Sequence, residues 1–118
     1  MNKLEKQLLR DETGGAEPRF CIGSDSRIDT GRWWRRSRIW LCVMADELVL
    51  LAVGRRRYFE RITIAECGRS HYNAGAGQLV IEPGESLRHS RFTLPPQHAL
   101  RILSLLNTEN RTLKTTQC

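Results

Sequence analysis

The order of its elements constrains this chain more than any other feature. Strand-like segments run over residues 33–94 and stop at Pro95 and Pro96. One amphipathic helix follows over residues 97–106, and then a polar tail. Proline ends a strand ladder because it supplies no N–H. It is tolerated in the first turn of a helix, where the donors have no intrahelical partner. Ala99, Ile102, Leu103 and Leu106 then recur at helical spacing, and Leu100 and Leu105 widen the stripe. Burying each Leu or Ile of that stripe contributes about 1.5–3 kcal/mol, so the helix is expected to belong to the fold. Asn107 is the expected C-terminal cap.

Within the strand run, residues 39–44 (Ile-Trp-Leu-Cys-Val-Met) and 48–53 (Leu-Val-Leu-Leu-Ala-Val) flank the polar pair Asp46-Glu47. Two apolar runs around a short polar break predict a β-hairpin. Apolarity on both faces predicts burial on both sides, or burial against a helix on one side and another strand layer on the other. A strand over 58–67 places Tyr58, Ile62 and Ile64 on one face. Residues 78–82 and 87–94 read as two more strands, joined by a Pro83-Gly84 turn of type II. Residues 68–77 read as loop. Upstream, residues 19–24 predict a first strand, with turns at 23–26 and 29–31.

With 118 residues there is room for one domain and one core. Three segments are expected: a flexible leader over 1–17, a single domain over 18–107 and a flexible tail over 108–118. The N-terminal residues lack the apolar core of a signal peptide, and no apolar run is long enough to span a bilayer, so the expected location is cytoplasmic. Of the four cysteines, none forms a C-x-x-C pair or has His at zinc-ligand spacing. Cys42 and Cys67 sit in apolar strand patterns and read as core filling, whereas Cys118 reads as an exposed thiol. His71, His89 and His98 have no carboxylate or cysteine at a revealing interval. No catalytic set stands out, so the chain is read as non-enzymatic, with no catalytic or metal-binding residues and no cofactor.

The fold class is therefore mainly β with one C-terminal helix, α+β. In order of elements the chain resembles bacterial pleckstrin-homology-like and GRAM-like domains, in which an antiparallel bent sheet forms a partly open barrel capped by a C-terminal helix. The resemblance is carried by residues 39–51, by Arg61-Ile-Thr-Ile-Ala65, by Gly77-Gln-Leu-Val-Ile81 and by residues 92–102, and it covers roughly residues 31–107. It implies a scaffold that binds rather than converts: relatives take phosphoinositide headgroups, peptides or other protein domains.

The net charge is +6, and nearly all of the excess is arginine. A surface of that sign attracts phosphate, anionic lipid or acidic protein. The sharpest cluster is Arg32, Trp33, Trp34, Arg35, Arg36 and Arg38, with Arg55, Arg56 and Arg57 at an expected hairpin tip. Arginine beside tryptophan can pair with anions or stack, although arginine on a strand edge also simply blocks unwanted pairing. If the two groups converge, they form one anion-attracting face. The expected partner is another protein or a second copy of the chain. An acidic phospholipid headgroup is the alternative, and nucleic acid is disfavoured.

Overall fold

The computed structural model describes residues 1–32, 35–54, 57–82 and 87–117; of these, the side chains of 28–32, 35, 36 and 107–117 are not described. Helix α1 (Lys3–Thr13) precedes seven strands: β1 (Phe20–Arg32), β2 (Arg35–Val43), β3 (Glu47–Val53), β4 (Arg57–Thr63), β5 (His71–Asn73), β6 (Gln78–Val80) and β7 (Arg91–Thr93). A 3₁₀ turn, Ile64–Cys67, separates β4 from β5, and helix α2 (Pro96–Gln117) closes the chain. The strands form two antiparallel sheets, ordered β1-β2-β3-β4 and β5-β6-β7. Among the described residues the architecture is α+β, with two sheets and no closed barrel.

Alternation along β2 and β3 divides the core. Ile39, Leu41, Val43, Leu48, Leu50 and Ala52 point inward and pack with Leu79, Ile81, Phe92 and Leu94. Ala99, Ile102 and Leu106 of α2 belong to the same cluster. Cys42, Met44, Val49 and Leu51 point outward, where Leu8 and Leu9 of α1 cover them. Helix on one side and strand layer on the other accounts for the unbroken apolar runs. The two sheets are joined by a polar contact as well: Ser26 Oγ of β1 accepts the Thr93 N–H of β7 at 2.9 Å.

Several expectations need correction. Among the described residues there are two α-helices, not one. Residues 3–13, expected within a flexible leader, form a capped helix that docks through Leu8 and Leu9. Asn2 and Glu5 form a reciprocal capping box, and Gly14 ends the helix in the left-handed conformation at φ 69°. Strand β1 runs through the turns expected at 23–26 and 29–31. Its ladder instead absorbs those residues as irregularities between Gly23 and Arg27 and between Asp29 and Arg32. Ser24 is fully buried there, its hydroxyl donating to the Ile39 carbonyl at 2.8 Å. The strand expected over 58–67 gives way to the 3₁₀ turn at Ile64, and β5 occupies part of the expected loop.

Pro95 accepts from His98 and Ala99 and Pro96 opens α2, as its missing N–H allows. The helix passes the expected cap at Asn107 and continues to Gln117, because no Gly or Pro interrupts residues 107–117. Leu100 is 58% exposed and lies outside the buried stripe. The Pro83-Gly84 turn and Cys118 fall outside the described residues.

Candidate functional site

Among the described residues, the outer face of the four-stranded sheet is only half covered, and the strand registers show what occupies it. Cross-strand partners share a face, so three rows can be followed across the sheet. Cys21, Cys42, Val49 and Arg61 form the first. Gly23, Trp40, Leu51 and Phe59 form the second. The third holds Arg27 opposite Arg38, and Val53 opposite Arg57. A hydrogen bond of 3.1 Å from the Ser37 hydroxyl to the Val53 carbonyl keeps β2 and β3 side by side at that level.

Helix α1 covers the first row and part of the second. It docks through Leu8 and Leu9, and Arg61 adds an exposed contact at its C-terminal end. The Arg61 guanidinium pairs with both Glu47 carboxylate oxygens at 2.9 and 2.7 Å and donates to the Glu12 carbonyl at 3.2 Å. A cation at the carbonyl-rich end of a helix is favourably placed. Beyond the helix, Trp40, Val53 and Phe59 are half-buried, and Arg27, Arg38 and Arg57 are exposed. The result is an apolar strip with a cationic far edge. Neighbouring strands lie about 4.8 Å apart, and like charges directly opposite one another repel.

Gly23 shapes this surface by having no side chain. A Cβ there would lie 2.5 Å from Arg38 Cδ and 3.3 Å from Trp40 Cζ2. The Arg38 side chain thus crosses the strand at Gly23 and lies beside the Trp40 ring. Toward the other end of the face, a cleft of about 430 Å³ opens between α1 and the sheet. Its walls include Leu9, Cys21 and Trp40, with Lys6, Arg10 and Glu17 also lining it. Trp40 is common to the strip and the cleft.

Of the residues singled out in the sequence, Arg38 and Arg57 are thus brought to one face. Arg32 pairs with Arg35 in the β1–β2 ladder, and Arg36 pairs with Asp29, but their side chains are outside the described residues. Trp33, Trp34, Arg55 and Arg56 are likewise outside them. Three residues of the strip escaped the sequence reading. Arg27 stands alone in its segment, and only the irregular register sets it against Arg38. Trp40 lies in an apolar run that reads as buried, and no local pattern singles out Phe59.

A second polar cluster lies where β4 meets residues 88–90. Glu60 accepts the Arg88 backbone N–H through both oxygens, at 2.8 and 3.1 Å, and accepts a short bond from the Tyr58 hydroxyl. Arg88 lies over the Tyr58 ring and His89 meets its edge. Burial, and then the bond to Glu60, push the Tyr58 phenol above its ordinary range. Every partner here belongs to the chain, and the cluster reads as a clamp.

Among the described residues, no group of three or more His, Cys, Asp or Glu side chains is placed to hold a metal ion. Among them also, no helix is long and apolar enough to cross a membrane.

No protein-family model, curated protein or solved structure matches the chain.

Proposed function

We propose that the chain is a non-enzymatic binding module of the pleckstrin-homology-like type, and that it docks an acidic protein segment on the uncovered half of its outer sheet face. The fold reading is supported by the arrangement of a four-stranded and a three-stranded antiparallel sheet followed by a helix that opens at Pro96. The functional reading rests on one observation: Arg27, Arg38 and Arg57 share a face with the half-buried Trp40, Val53 and Phe59. Carboxylates suit the guanidinium geometry, and apolar side chains of the same segment suit the strip. Aromatic and arginine side chains together are the usual anchors of protein interfaces.

The test is fluorescence anisotropy with a labelled peptide rich in Asp and Glu and carrying Leu and Phe. Binding should weaken steeply with salt, and Arg38→Gln with Arg57→Gln should lower affinity at least tenfold, with the melting curve unchanged. Acidic phospholipid vesicles and a single-stranded oligonucleotide serve as competing probes. Arginine-dependent binding to either of those, with none to the peptide, would replace this reading by the phospholipid or nucleic-acid alternative.

A further inference from the structure

Cys21 and Cys42 are directly opposed on β1 and β2. The ladder shows which kind of pair they form. The Met44 N–H donates to the Glu47 carbonyl at 2.8 Å, so alternation turns the backbone groups of Met44 and Cys42 toward β3. Val43 is turned the other way, and its carbonyl accepts the Arg19 N–H at 2.7 Å. Cys21 and Cys42 are therefore a non-hydrogen-bonded cross-strand pair, the closer of the two types, with Cα atoms about 4.5 Å apart. That separation lies at the near limit of what a disulfide accepts. Both are free cysteines, and each shifts the other's titration as a hydrogen-bonding neighbour.

The two thiols differ in access. Cys42 is fully buried, whereas Cys21 is half-buried and lines the cleft beside α1. The cleft's volume of about 430 Å³ falls in the range of small-molecule sites. Lys6 and Arg10 line it with two positive charges against the one negative charge of Glu17. The Cys42 hydrogen bond holds the Cys21 thiol below its ordinary value, against the opposing effect of burial. Cys42 is pushed far up by the same bond, by burial and by the Cys21 charge. The accessible sulfur is thus the nucleophile and the buried one the reserve. Cys67, raised to about 11 by burial, lies in the other core cluster and has no part in this arrangement.

We propose that Cys21 and Cys42 form a redox pair that accepts oxidising equivalents from an anionic low-molecular-weight disulfide entering the cleft. In the first step the Cys21 thiolate attacks one sulfur of the disulfide RS–SR. A Cys21–SR bond forms, the RS–SR bond breaks, and RS⁻ leaves with the electron pair and takes a proton from solvent. Cys42 no longer faces a thiolate at that point, so two of the causes that raised it are gone. Its sulfur then attacks that of Cys21, its proton passes to the second departing RS⁻, and the Cys21–Cys42 bond closes. Two protein thiols are oxidised and one RS–SR is reduced to two RSH. A pair of this kind lies within the separation a disulfide accepts, so the link can close without parting the two strands.

The experiment equilibrates the full chain in glutathione buffers of increasing glutathione disulfide and reads intact mass and peptide maps. The wild type should lose two hydrogens and yield a single peptide linking Cys21 to Cys42. Cys42→Ser should instead accumulate one glutathionyl adduct on Cys21, released by dithiothreitol. Cys21→Ser should slow oxidation at residue 42 at least tenfold, and it keeps the test decisive if Cys42→Ser fails to fold. A wild type that stays reduced, an adduct confined to another cysteine, or a link formed by another pair would overturn the proposal.

Discussion

The two faces of the four-stranded sheet are closed in different ways. The inner face is sealed by elements far away in sequence, β5 to β7 and α2, and its side chains there are almost wholly buried. The outer face is sealed by one helix of three turns, and only in part. The inner cluster thus carries the fold. The outer one leaves a strip of sheet available, edged with charge that a core could not hold without partners. A helix as short as α1 is marginal in water, so it persists through its caps and its contacts with the sheet.

The largest difference between the faces should come from Ile102→Asp. It removes a fully buried side chain from the inner cluster and leaves a charge there. The expected loss is more than about 4 kcal/mol, seen as the absence of a cooperative thermal transition. Leu8→Ala on the outer face should cost less, roughly 2 kcal/mol, the low end for a buried leucine because the helix can shift or undock. Its signature is faster hydrogen exchange in residues 3–13 while the amides of β3 stay protected. Equal exchange in both regions would erase the distinction between the faces.

Smaller effects sharpen the same picture. Asn2→Ala breaks the capping box and should cost about 1 kcal/mol, confined to α1. Arg61→Ala removes an exposed pair and the contact with Glu12, so only a few tenths of a kcal/mol are expected, fading in high salt. The Tyr58 clamp predicts a pH dependence on the β4 side. The folded phenol titrates above the unfolded value of about 10, so its contribution is complete below that pH and is lost as pH rises beyond it. Wild type should therefore lose stability faster than Tyr58→Phe as pH rises above about 10, as read by urea melts.

What the sequence made legible follows the range of the interactions. The two-sided burial of β2 and β3 is written in their unbroken apolar runs, and Pro95-Pro96 marks the start of α2. The docking of α1 is not, since Leu8 and Leu9 gain their value only from Met44, Val49 and Leu51 far downstream. The run Gly23-Ser-Asp-Ser26 has the composition of a turn. Its hydroxyls are instead engaged by the Ile39 carbonyl and the Thr93 N–H, groups no local pattern reveals. The arginine-rich face was legible as a charge count and as Arg38 and Arg57. Arg27 and the gap at Gly23 became visible only with the register.

The most direct measurement of the binding account is an NMR titration of the labelled chain with the acidic peptide. The account predicts that the Trp40 indole N–H, the Val53 methyls, the Phe59 ring and the Arg38 and Arg57 Nε–H signals move first, while those of Leu50, Phe92 and Ile102 stay still. Shifts concentrated on β5 to β7 or α2, with the Trp40 and Arg38 signals unmoved, would contradict it.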